Sequence, residues 1–297
     1  MRQYCLNAGP FRFSISTSLP LVQHYLEEVY AEHLSLEPEA YFDYAIQLLP
    51  GKGARRWWRR QVRFCFNHQM PFKPMPLAHA NAVLEWGMNW VIAGNAHQYL
   101  IVHAAVVAKN GKAVIICAPS GSGKSTLCAY LVSRGWKLLS DELALVDHNT
   151  LTVEGLNRPM NLKNGSIPVI SPYFQSRQFS EEIRDTHKGT LKLLYPDAGQ
   201  QLPAGLHVSP SLLVFVKHST TEKCFIEKVP PCEALTEILQ QSFNHGTLHQ
   251  KGFVTGRKLV DHTPAVYVEY SDFSACERAL ETELNSCSWG EYDHAVG

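Results

Sequence analysis

Eight consecutive residues, Ala118-Pro119-Ser120-Gly121-Ser122-Gly123-Lys124-Ser125, carry the clearest chemistry in the chain. They match the Walker A pattern Gly-x-x-x-x-Gly-Lys-Ser/Thr at Gly123, Lys124 and Ser125, with Ala118 in place of the first glycine. Such a loop suits nucleotide phosphates. Glycines at 121 and 123 let backbone N–H groups converge on phosphate oxygens at a helix N-terminus, where the dipole favours negative charge. Lys124 neutralises β/γ charge, and Ser125 offers a hydroxyl to Mg²⁺. The phosphate-binding set is therefore Ser120, Gly121, Ser122, Gly123, Lys124, Ser125 and Thr126, and ATP with Mg²⁺ is the expected cofactor pair.

Downstream, Lys137-Leu138-Leu139-Ser140 ends in Asp141 and Glu142. Paired acids after an apolar strand can divide two tasks, holding Mg²⁺ and taking the proton from an attacking hydroxyl. Spacing does not say which acid does which. Adjacent side chains on a strand face opposite ways unless the strand ends between them.

The elements around these residues follow from pattern. Lys109-Asn110-Gly111-Lys112 lies between two apolar runs, the strongest short hairpin signal, because a tight primed turn needs positive φ at both central residues. With 109 paired to 112, an unbulged register sets His103 opposite Ala118. His103 is then either a third member of the site or a satisfied core histidine. Thr126 to Arg134 reads as a helix stopped by Gly135. Further helices are expected over Ser18–Leu34, Ala78–Ala93, Cys232–Phe243 and Ser274–Leu284, and strands over Tyr41–Leu49, Gln61–Asn67, Leu212–Val216 and Ala265–Tyr270. Pro71, Pro74 and Pro76 interrupt regular structure before the second of these helices. They suggest two parts, an N-terminal α/β region over 1–95 and a catalytic region over 96–297. Arg158, Lys163 and Lys188 follow the acids in Pro-, Asn- and Gly-rich loops and could contact phosphate or an acidic acceptor.

Composition narrows the partners. Lys plus Arg equals Asp plus Glu at 27 each, so no global field draws nucleic acid or an anionic membrane. Arg55-Arg56-Trp57-Trp58-Arg59-Arg60 is the densest basic and aromatic cluster, and it is read as local packing with a solvated charged face. No apolar run reaches the ~20 residues that span a bilayer, and the first residues lack a secretory signal, so a cytoplasmic protein is expected. The eight cysteines show no Cys-x-x-Cys pair and are read as reduced thiols; an assembly of identical subunits stays open.

Taken together, His103-Ala104-Ala105-Val106-Val107, Ser120 to Ser125 and Arg134-Gly135-Trp136-Lys137-Leu138-Leu139-Ser140-Asp141-Glu142 resemble the catalytic domain of HPr kinase/phosphorylase. Leu84 to Trp90, Arg158 to Ile167 and Asp185 to Thr190 look closer to the HPr-kinase-related kinases of type A. The resemblance implies an α/β fold with a P-loop kinase core of the HPr kinase and phosphoenolpyruvate carboxykinase type, a mixed β-sheet with flanking helices. It implies Asp141, helped by His103, as catalytic base and Glu142 with Ser125 as Mg²⁺ ligands. The second acid is Glu where that family has Asp, and its Glu-Ile/Val-Arg-Gly signature has no counterpart here. The acceptor implied is thus a hydroxyl, chiefly serine, of a peptide or small protein other than HPr, as in relatives that phosphorylate a ribosomally made peptide. A small-metabolite kinase and a nucleotide-dependent switch or assembly factor are the competing readings.

Overall fold

Apolar alternation begins at once: Tyr4, Leu6, Ala8, Phe11, Phe13 and Ile15 are buried, while Cys5, Asn7, Arg12 and Ser16 between them stay partly exposed. Period two makes strands, and Arg2–Ala8 pairs antiparallel with Phe11–Thr17 about a turn at Gly9, whose φ is +59°. The computed structural model describes residues 1–35, 41–119, 121–186, 189–203, 205–221 and 223–286. Ser120 and Lys188, both expected at the site, lie outside the described residues.

The fold is mixed α/β. A first sheet of six strands orders as Leu34–Ser35, Arg2–Ala8, Phe11–Thr17, Tyr44–Pro50, Gln61–Phe66 and Met75–Pro76. Helices Pro20–Val29 and Ala80–Asn95 cover it, joining Leu26, Leu48, Phe64 and Met88 in one core. The first helix stops short of the expected Leu34 because Tyr30 leaves helical angles, and its hydroxyl bonds Glu85. Contact between the second helix and the sheet is close at Gly87, where a Cβ would lie 2.0 Å from the Phe64 ring.

A second six-stranded sheet orders as Lys137–Ser140, Ala104–Lys109, Lys112–Cys117, Pro210–His218, Ala265–Tyr270 and Cys224–Val229. Pro210–His218 runs parallel to both its neighbours and the other pairs are antiparallel. Its central strands read as unbroken apolar runs because both faces are covered. Helices Lys124–Ser133 and Phe273–Ser286 bury Val107, Ile116, Val214 and Val266 on one face. Helices Pro231–Gln240 and Gln250–His262 bury Val106, Ile115 and Leu213 on the other.

Two smaller sheets, one of four strands including Tyr99–Val102 and Ala144–Asp147 and one of three including Met160–Lys163, flank the second. The first sheet is built from residues before 77 and the others from residues after 98. Helix Ala80–Asn95 faces both parts, since Leu143, Leu145 and Leu156 join the first core. No helix among the described residues is long and apolar enough to cross a membrane.

One reading is corrected. The charged face is solvated as expected and its contacts are local, Arg56 over the Trp57 ring and Arg55 and Arg59 over the Trp58 ring, but the indoles are not packed into the fold: they are 80% and 63% exposed. Each guanidinium meets an indole face in solvent, a cation–π arrangement worth little when exposed.

Candidate active site

The hairpin register holds: Lys109 pairs with Lys112, and the ladder runs to Ala104 opposite Cys117. Asn110 and Gly111 take φ of +51° and +75°, as a primed turn requires. The ladder ends one residue before His103, whose N–H turns away to donate to the Gln241 carbonyl at 2.8 Å. Its imidazole packs on Phe243, with ring centroids 5.5 Å apart.

Beyond Cys117 the chain enters the glycine-rich loop. Gly121 and Gly123 take φ of +89° and +90°, and Gly123 is the residue before helix Lys124–Ser133. A Cβ at Gly123 would sit 3.1 Å from the Tyr270 hydroxyl, so a side chain there is opposed by both backbone angle and space.

Strand Lys137–Ser140 ends where the acids begin. The Ser140 hydroxyl accepts the amides of Glu142 at 3.3 Å and Leu143 at 3.0 Å, which turns the chain. Because the strand has stopped, Asp141 and Glu142 line one cavity instead of facing opposite ways.

That cavity, of about 680 Å³, gathers His103, Gly121, Gly123, Lys124, Ser125, Thr126, Asp141, Glu142 and Lys163. Ser122 lines a neighbouring cavity on the other side of the loop. Lys124 and Asp141 are nearly buried, 8% and 7% exposed. The Asp141 Oδ2 accepts the Asn161 amide at 2.8 Å, but its Oδ1 and the Lys124 Nζ have no hydrogen-bond partner among the described residues. Burial lowers the Lys124 pKa against the pull of Asp141 and Glu142, and the nearby Lys163 lowers it further. Burial likewise raises Asp141, with Glu142 adding to it, against the Asn161 amide, Lys124 and the Ser125 hydroxyl. Two buried groups of opposite sign with open valences thus line the same cavity.

Arg158 is not available to a ligand, contrary to expectation. Its guanidinium donates to Glu85 Oε2 at 3.1 and 2.6 Å, to the Glu85 carbonyl at 2.6 Å and to Asn89 Oδ1. Tyr25 and Tyr30 hydroxyls complete Glu85 at 2.8 and 2.7 Å. Burial is the largest influence and would lower the Arg158 pKa, but Glu85 and Tyr30 together, through charge and hydrogen bonds, outweigh it and the pKa is raised. Asn89 then donates to Glu142 Oε2 at 2.6 Å, so this buried pair reaches the site through one amide.

Asn89, Asn161 and Phe243 were not foreseen. Asn161 was legible, because Asn161 and Lys163 sit two apart on strand Met160–Lys163 and so share a face. Phe243 had no local signal; the Phe243 amide bonds the Ile101 carbonyl at 2.9 Å from 142 positions away.

The donor set fits a Mg-nucleotide. An unpartnered amine beside a helix N-terminus suits phosphate oxygens, and Mg²⁺ is ordinarily held by one or two carboxylates plus phosphates. Among the described residues no group of three or more His, Cys, Asp and Glu gathers to hold a metal unaided.

A family model described as SynChlorMet cassette protein ScmC matches residues 82–152, less than half of the chain. That stretch runs from helix Ala80–Asn95 through the loop to both acids. Among solved structures, the HPr(Ser) kinase/phosphatase from Coxiella burnetii is 12% identical, with 63% of this chain and 94% of that one covered and a TM-score of 0.29. So loose a superposition carries no inference about function. No curated protein matches the chain.

Proposed function

We propose that this protein is an ATP-dependent kinase that transfers the γ-phosphate to a hydroxyl, chiefly a serine, of a peptide or small protein. The observation that carries this reading is the partnerless pair, Lys124 Nζ and Asp141 Oδ1, buried on one cavity with the helix N-terminus at Gly123. A buried polar atom without a partner is costly, and a ligand that satisfies both accounts for the arrangement. ATP supplies the anion for Lys124; the acceptor hydroxyl supplies the proton donor for Asp141.

In this reading Lys124 and the loop amides bind the β- and γ-phosphates, and Lys163 meets them from the strand side. Ser125 and Glu142 would hold Mg²⁺, which when bound neutralises charge on the phosphate oxygens. Asp141 Oδ1 takes the acceptor proton as the hydroxyl oxygen attacks the γ-phosphorus. The bond to the bridging oxygen breaks, leaving ADP and a phosphate ester. His103, which lines the same cavity, helps Asp141 by orienting the acceptor hydroxyl. Residues 96–297 hold the transfer machinery, and residues 1–95 wall the acceptor side.

The test is transfer of ³²P from γ-labelled ATP into proteins and metabolites of the source cell, by wild type and by Lys124→Ala. Label should enter a peptide or protein with wild type alone. Label in a small metabolite would move the acceptor class, and label released only as inorganic phosphate would favour the switch reading. Equal labelling by both proteins would overturn the proposal.

A further inference from the structure

Next to the phosphate cavity lies a second one of about 350 Å³, and the two share a wall made of Glu142 and Phe243. The rest of its lining is apolar and includes Phe72, Met75, Trp86, Trp90, Ala93 and Leu143, with Asn89 and Glu142 the polar members of the wall. The N-terminal part supplies most of these side chains, from the Pro71–Pro76 stretch and helix Ala80–Asn95. Its volume lies at the low end of the range for ligand pockets and has room for one large side chain.

We propose that this cavity receives an aromatic or long aliphatic side chain adjacent to the acceptor hydroxyl, so that the substrate is a peptide with Ser or Thr beside a large apolar residue. This rests on the kinase reading above. A hydroxyl at Asp141 has Glu142 as its next neighbour along the chain, and Glu142 is the partition between the cavities. A group attached next to that hydroxyl is thus within reach of the apolar cavity across the shared wall of Glu142 and Phe243. Free serine or a sugar has no group that would gain by entering it, because the walls offer apolar surface and few donors. A chain running over the surface gains more. Trp90 and Phe243, 44% and 50% exposed, extend the apolar surface at the mouth beyond what one small molecule would cover.

The experiment uses full-length protein labelled with 5-fluorotryptophan and three probes: Ac-Ala-Ser-Phe-Ala-NH₂, Ac-Ala-Phe-Ser-Ala-NH₂ and Ac-Ala-Ser-Ala-Ala-NH₂. Fluorine NMR follows Trp86 and Trp90, assigned by Trp→Phe variants, and labelled ATP follows transfer. A Phe-containing peptide should shift both resonances and be phosphorylated with kcat/KM at least about ten-fold above the Ala peptide, as an apolar pocket discriminates. Ala93→Phe, which fills the cavity from helix Ala80–Asn95, should raise KM for the Phe peptide to that of the Ala peptide. If neither resonance responds to either Phe peptide, or all three peptides react alike, the inference is overturned. Shifts without transfer to any probe or to cellular protein would uphold the cavity's occupant and remove the kinase reading, so the two failures are distinguishable.

Discussion

Two buried cation–carboxylate sets lie close together in this protein and are treated in opposite ways. Arg158 and Glu85, 8% and 1% exposed, satisfy each other and are completed by Tyr25, Tyr30 and Asn89. Lys124 and Asp141, equally buried, keep an amine and a carboxylate oxygen without partners. The same physical chemistry governs both: a charge taken from water needs compensation. In the first set the fold provides it. In the second the fold withholds it, and the helix N-terminus, the second acid and an open cavity stand around the gap. Burial of charge alone therefore does not mark a functional residue; here the buried charges with open valences are the ones that line the cavity.

The comparison is broken most sharply at Asp141. Asp141→Asn should lower transfer by about 10²–10⁴ while leaving Mg-ATP binding largely intact, because a base acts only as the hydroxyl attacks. Steady-state transfer and calorimetric binding of Mg-ATP separate the two effects; loss of Mg-ATP affinity at Asp141→Asn together with loss of turnover alone at Glu142→Gln would exchange the acids' roles. The pH profile gives the same residues a sign. A base must be deprotonated, so kcat/KM should rise with pH through an acid limb above the ordinary 3.8 of Asp141. Lys124 must stay protonated, so kcat/KM should fall through an alkaline limb below its ordinary 10.5. An acid limb that survives Asp141→Asn would assign it elsewhere.

On the satisfied side, Arg158→Ala leaves Glu85 buried without its charge partner. It should destabilise the fold by ~3–5 kcal/mol, read by urea denaturation. A loss under about 1 kcal/mol would mean that the pair is not the structural element described. Between the two sets, Asn89→Ala removes the amide that bonds Glu142 while sparing the Arg158–Glu85 contact. Ligands held by such outer partners typically lose ~10–100-fold in metal affinity when the partner goes. The Mg²⁺ concentration for half-maximal transfer should rise by at least ~10-fold, and an unchanged value would detach the buried pair from the site.

Much of this was legible because the signals were local. The Asn110-Gly111 turn fixed the hairpin register, and Gly135 marked the end of helix Lys124–Ser133 through its φ of +91°. The N-terminal hairpin Arg2–Thr17 alternates as plainly but is interrupted only by Gly9-Pro10, and it lay outside the elements expected. Arg158 misled because a cation beside Pro159 reads as a loop residue, while its partner Glu85 is 73 positions away on a helix. The exposed Trp57 and Trp58 misled in the other direction, since indoles ordinarily seek cover. What failed in each case was a long-range pairing, or the lack of one, which no window of sequence contains.

The central claim is that the Lys124–Asp141 gap is kept open for a Mg-nucleotide, and Lys124→Met tests it with one instrument. The folded-state pKa of Lys124 is depressed, so the stability linked to it is present above 10.5 and lost as pH falls through the folded value. At neutral pH the buried ammonium is a liability. Without nucleotide, Lys124→Met should therefore melt a few degrees higher than wild type, for a gain of ~1–3 kcal/mol. With Mg-ATP at a hundred times Kd, wild type should gain about 2.7 kcal/mol and the variant almost nothing. A Lys124→Met protein that is less stable alone, or that gains as much from Mg-ATP as wild type, would contradict the account.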